Sequence, residues 1–192
     1  MVDGVEKQFQ CYRNILDDFL GVASEIGEVA PRSTEDGPVR YLCYKNFPSV
    51  GLVTGFTYGL SLVDHPAWGA EKRELGITVR TDSVEWARVP AVTISGLRGI
   101  VPFNPGDALG YAGAYVQGFK MNCAVLAEPF FDVDDEVFNR RFRWGRSGDS
   151  LLRIVGVYPI YSVEREFIYE NDFNSFWEMK WDRLSLDRDP LF

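Results

Sequence analysis

Histidine, cysteine, long apolar runs and positive charge are all in short supply in this chain of 192 residues. His65 is the single histidine, so any histidine-based triad has to use it. The three cysteines, Cys11, Cys43 and Cys123, are odd in number and widely separated. With no CxxC and no Cys/His cluster, neither a disulfide framework nor a metal site is expected. No apolar run approaches the roughly 20 residues of a membrane-spanning helix. Residues 1–7 have neither the basic nor the apolar segment of a secretory leader. Free thiols without a leader read as a cytosolic, cytoplasmic chain in a reducing compartment. Lys and Arg number 20 against 28 Asp and Glu, a net charge of -8. Such a surface repels a phosphate backbone, which weighs against nucleic acid, and suits a basic partner.

Hydrophobic residues make up 46% and aromatic residues 15% of the chain, enough for a core without staples and too much for disorder. Residues 3–20 carry Val5, Phe9, Tyr12, Leu16 and Phe19 at spacings of three and four, which predicts an amphipathic helix capped by Gly21. Residues 22–38 are breaker-rich and read as loop. The stretch 1–38 holds eight acids against three bases. Strand alternation runs from Leu52 to Leu62 and again from Glu74 to Arg80, joined by loop 64–71 as a hairpin. Glycines 55 and 59 suggest a bulge or a close backbone approach.

Ser83 can cap a helix carrying Trp86 and Val89, with a kink or break expected at Pro90. Asn104–Asp107 reads as a turn and Phe119–Val125 as a strand. Residues 151–160 are almost continuously apolar and β-branched, the pattern of a central strand covered on both faces. Ser162 is expected to cap a following helix, with Glu164 and Glu166 near its positive end. A last helix is expected to carry Phe173, Phe176, Trp177, Trp181 and Leu184. The sum is an α+β fold, a single domain over 1–192 in which helices flank a mixed β-sheet.

Several of these segments, taken in order, are similar to a known family. They are Gly55-Phe56-Thr57-Tyr58-Gly59-Leu60-Ser61, Arg73-Glu74-Leu75, a helix containing Trp86, Pro105-Gly106-Asp107-Ala108-Leu109, and Leu152–Ile160 leading into Glu164-Arg165-Glu166. From about Gly51 to Leu184 the chain resembles the Suppressor of fused (SUFU-like) domain. The resemblance implies an α+β domain that binds protein and is not an enzyme. In animals such domains sequester a transcription factor, and stand-alone bacterial copies look like immunity proteins that neutralise a toxin. The chain is too short for the second domain of the animal protein, so a cleft between two domains does not carry over.

The residue chemistry agrees with binding rather than catalysis. Asp64-His65-Pro66 sets a carboxylate beside the imidazole, but the nearest hydroxyl is Ser61 and no G-x-S-x-G elbow exists. A hydrolase using His65 is kept as the enzymatic alternative to a loop histidine. Asp132, Asp134, Asp135 and Glu136 lack the glycine and the distal glutamate of a calcium loop. Their density suits an acidic patch for a basic partner. Gly96-Leu97-Arg98-Gly99 has neither the lysine nor the spacing of a phosphate loop, so no cofactor is expected. Trp68, in a Gly/Pro loop, either folds onto the core or anchors an interface. The expected contact surface therefore comprises Asp64, Trp68, Glu71, Asp132, Asp134, Asp135 and Glu136. Its expected partner is a protein, either a basic toxin domain or a regulator to be sequestered.

Overall fold

The computed structural model describes residues 2–33, 36–130 and 150–192. Its helices are α1 (Val2–Leu20), α2 (Glu85–Leu97), α3 (Ser162–Glu170) and α4 (Phe173–Trp177). Its strands are β1 (Glu25–Val29), β2 (Val39–Lys45), β3 (Leu52–Tyr58), β4 (Glu71–Arg80), β5 (Ala108–Gly110), β6 (Cys123–Ala127) and β7 (Leu151–Ile160). The strands form one mixed sheet in the order β1-β2-β3-β4-β7-β6-β5. β4 and β7 pair in parallel and the other neighbours antiparallel. This is the expected α+β fold, with the apolar run 151–160 as a central strand.

Strand alternation assigns each helix to a face. Leu42, Tyr44, Phe56, Tyr58, Leu152 and Ile154 share one face and bury Phe9, Tyr12, Ile15 and Leu16 of α1. Each such side chain taken from water contributes roughly 1.5–3 kcal/mol, which is why α1 needs no strong intrinsic propensity. Further along the same face, Val125, Tyr158 and Ile160 hold Ile168 of α3 and Phe176 of α4. The opposite face, with Leu75, Ile77, Val79, Val155 and Val157, is covered by Trp86, Val89 and Ile94 of α2. At Gly55 a Cβ would stand 2.6 Å from the Ala87 carbonyl oxygen, so glycine here lets α2 lie close against β3.

Several expectations shift. Residues 22–38 contain an edge strand, β1, whose Glu-Ile-Gly-Glu-Val shows no clean alternation. It is held by pairing to β2, and Gly27 makes room for the Tyr41 ring. The strand expected at 119–125 begins only at Cys123, and the three-residue β5 carries no periodic signal. The alternation 52–62 ends as strand at Tyr58 and continues as a 3-10 turn over Leu60–Leu62. Pro90 lies within a single helix, Glu85–Leu97, rather than dividing it, and Ser83 does not cap it. Likewise Tyr161 occupies the cap of α3, and Ser162, expected there, is its first helical residue. The last helix stops at Trp177. Beyond it Arg183 lies 4.0 Å from the Trp177 ring centroid and Arg188 lies 4.7 Å from that of Trp181. The aromatic stripe is thus covered by two arginines of the chain's own C-terminal segment.

Candidate protein-contact surface

The loop from Gly59 to Ala70, between β3 and β4, is fixed from beneath by buried charge. Glu74 has no solvent exposure. Its carboxylate accepts from the backbone N–H of Gly59 at 2.8 Å, Leu60 at 3.3 Å and Ser61 at 3.0 Å. It also accepts from the hydroxyls of Thr57 at 2.7 Å and Ser61 at 2.6 Å. Burial pushes the Glu74 carboxyl up, and these donors pull against that rise. Gly59, at φ 146°, supplies the backbone turn that aims three successive amides at one side chain.

The far end of the loop is pinned as well. Arg73 donates to the carbonyls of Pro102 at 2.9 Å and Phe103 at 3.1 Å, and to the Asn104 side chain at 2.6 Å. Trp68 is only 4% exposed and its indole N–H donates to the Pro102 carbonyl. Of the two readings for Trp68 the structure selects the core, so Trp68 leaves the expected contact surface. Its apolar ring closes over Arg73, 5.8 Å from the guanidinium, instead of facing solvent.

Asp64 and Glu71 remain outside. The Asp64 side chain is 95% exposed yet pairs with Lys72, a lysine only 9% exposed that also donates to the Val63 carbonyl. Glu71 lies 3.4 Å from Arg73. Both acids therefore face solvent with their charge partly neutralised from below.

His65 sits between them. Its Nδ1 accepts from the Ala67 N–H at 3.2 Å, capping the 3-10 turn Pro66–Trp68. Its ring lies 5.6 Å from that of Trp68. The companions a triad would need are engaged elsewhere, Ser61 with Glu74 and Asp64 with Lys72.

Parallel pairing brings the start of β7 to the same end of the sheet as Glu71. Glu71 is in register with Leu151 at the start of β7. Glu128, just past β6, pairs with Arg153, and its carbonyl accepts from the Tyr158 hydroxyl at 2.7 Å. Leu151 thus lies beside the start of β4, and Pro129 and Phe130 lie further along it, near Gly76–Thr78. Asp132, Asp134, Asp135 and Glu136 lie outside the described residues. Among the described residues no group of His, Cys, Asp and Glu could hold a metal ion, and no helix is long and apolar enough to cross a membrane.

Glu164 caps α3, accepting from the Tyr161 N–H at 2.9 Å, and it also binds Arg188 at 2.7 Å. Burial of this pair fixes the C-terminal segment to α3, a role beyond the dipole service expected of it. Glu74, Arg73 and Arg98 were equally out of reach of sequence reasoning, because nothing local distinguishes a buried charge from a solvated one. Arg98 is buried at the end of α2 and donates to the carbonyls of Gly37 at 2.6 Å and Gly59 at 3.0 Å.

Two halves of the loop signature, Gly55–Ser61 and Arg73-Glu74-Leu75, are therefore one structural unit joined through the Glu74 carboxylate. The same architecture occurs in a SUFU (suppressor of fused protein) homologue from Neisseria gonorrhoeae FA 1090. The two superimpose with a TM-score of 0.67 over 96% of this chain and 97% of that one, at 14% identity. The fold is that of the Suppressor of fused homologues. A Sufu–Fu complex matches with a TM-score of 0.60 at 10% identity, over 95% of this chain and 91% of that one. Drosophila Suppressor of Fused matches at 0.59 and 13% identity, over 95% of this chain but only 50% of the other's length. No family profile matches the sequence, and no curated protein is similar to it in sequence.

Proposed function

We propose that this SUFU-like chain is a cytosolic protein-binding domain, an immunity protein that neutralises a cognate toxin by covering its working surface. The observation that carries the reading is the end-to-end likeness to a bacterial SUFU homologue. It is supported by the occurrence of the same fold in a Sufu–Fu complex. The net charge of -8 favours a basic toxin, since complementary fields speed encounter and select among partners.

The proposed contact surface comprises the acidic run Asp132, Asp134, Asp135 and Glu136 together with Asp64 and Glu71. Asp64 and Glu71 are already paired with Lys72 and Arg73, which reduces their electrostatic share. The test is co-expression with the protein encoded next to this one. A toxic neighbour that this chain renders harmless in a stable one-to-one complex supports the reading. A neighbour that is bound but harmless turns it toward sequestration of a regulator. A toxic neighbour that is neither bound nor silenced overturns it.

A further inference from the structure

The first turns of α2 stand beside the segment that follows β5. Between them is a hollow of about 90 Å³ lined by Glu85, Arg88, Val89, Val92, Tyr111 and Tyr115. One wall is a pair of stacked tyrosines, with ring centroids of Tyr111 and Tyr115 5.5 Å apart and planes 18° from parallel. Tyr115 in turn meets the fully buried Trp86 ring at 6.5 Å, which ties the wall to the core. Tyr111 is 50% exposed at the mouth.

Arg88 is the cation of this hollow, a solvent-exposed side chain whose charge also acts on the Tyr41 hydroxyl. Among the described residues it makes no hydrogen bond and no ion pair. It stands early in α2, where the helix dipole disfavours a cation, whereas Glu85 in the first turn has the favoured sign. Helix stability explains Glu85 and leaves Arg88 unexplained.

We infer that this hollow seats one carboxylate side chain, Asp or Glu, projecting from a protein partner. The planar guanidinium of Arg88 would pair with its two oxygens, and the stacked tyrosines would shelter the pair from water. The guanidinium fork matches carboxylate geometry, and charge-assisted pairs of this kind are the strong ones. Arg and Tyr are the side chains on which interface energy concentrates. The volume fits a carboxylate and its methylenes and falls well short of the roughly 300 Å³ at which small-molecule pockets begin. A lysine or arginine paired at Arg88 would meet like charge, and because Glu85 also lines the hollow, the carboxylate has to engage it from the Arg88 side. An otherwise acidic protein that accepts an acid at one point gains orientation, because the partner must present both signs in the right places. The inference stands apart from the toxin reading, since its charge is of the opposite sign and its site lies elsewhere.

The test is an NMR titration of the full chain with N-acetyl-glutamate N-methylamide, with the glutamine and lysine counterparts as parallel probes. The side-chain N–H of Arg88 and the backbone amides of Tyr111 and Tyr115 are followed. The glutamate probe should give saturable shifts at these positions, the glutamine probe at least tenfold weaker binding, and Arg88→Gln should abolish the response. Tyr111→Ala should weaken it several-fold. Both substituted residues are exposed, and unchanged shifts in the sheet would show that each variant folds. Equal responses to glutamate and glutamine, survival of the shifts in Arg88→Gln, or a stronger response to the lysine probe would each overturn the assignment.

Discussion

Glu74 shows how much one residue decides. Its carboxylate organises three consecutive amides and two hydroxyls, so replacing it leaves buried donors without an acceptor. Each such donor costs about 1–3 kcal/mol. Glu74→Ala should therefore lower stability by several kcal/mol in urea unfolding, and Glu74→Gln by less, because its amide oxygen still accepts. The folded protein also holds the Glu74 proton more tightly than the unfolded chain does. Between the ordinary carboxylate range and the raised value the native state binds more protons, so this group's contribution grows as pH falls from neutral. Wild type should gain stability relative to Glu74→Gln over that interval. A constant difference between the two across pH 4.5–7 would show that Glu74 is not protonated preferentially in the fold. Its neighbour Trp68 makes the complementary point. A tryptophan in a loop has two plausible fates, and only the Pro102 carbonyl and the Arg73 guanidinium, some thirty residues away or on the next strand, settle which one holds.

At the scale of elements, fit between surfaces sets the tolerances. α2 lies so close to β3 that Gly55→Ala must push against the Ala87 backbone, which cannot swing aside as a side chain can. Overpacking of this kind costs about 1–3 kcal/mol, so a lowered urea midpoint with an unchanged slope is expected. The C-terminal segment is tied to α3 by Arg188 and Glu164, whose side chains are 10% and 0% exposed. Arg188→Ala would leave a buried carboxylate without its cation, a loss of about 3–5 kcal/mol in comparable pairs. Amides of residues 184–192 should then exchange with solvent faster than those of β7. If both regions kept wild-type protection, the ion pair would not be what holds the tail. Amphipathic α1 and the apolar β7 were readable because their periodicity is strong and long. β1 and β5 were not, because each is short, lies at a sheet edge and takes its conformation from a single neighbouring strand.

For the whole molecule the governing quantity is charge. With 28 acids against 20 bases, association with a basic partner should be fast at low ionic strength and slow as salt screens the field. Neutralising Asp132, Asp134 and Asp135 together to Asn should lower the on-rate and flatten its salt dependence. Stopped-flow association at several salt concentrations measures both. An on-rate indifferent to the triple substitution would move the contact surface away from this run. Glu71→Gln should act more weakly, because Arg73 already neutralises part of that charge.

Composition, spacing and charge by themselves determined the α+β class, the N-terminal helix, the central strand and the acidic balance. These are local or additive properties, and a linear pattern records them faithfully. Tertiary structure alone decided that Trp68 is core, that Glu74 unites two distant segments, that Asp64 and Glu71 are countered from below, and that Arg88 faces a tyrosine-walled hollow. Each of those outcomes depends on which side chains the sheet order brings together across tens of residues, and no spacing along the chain encodes that distance.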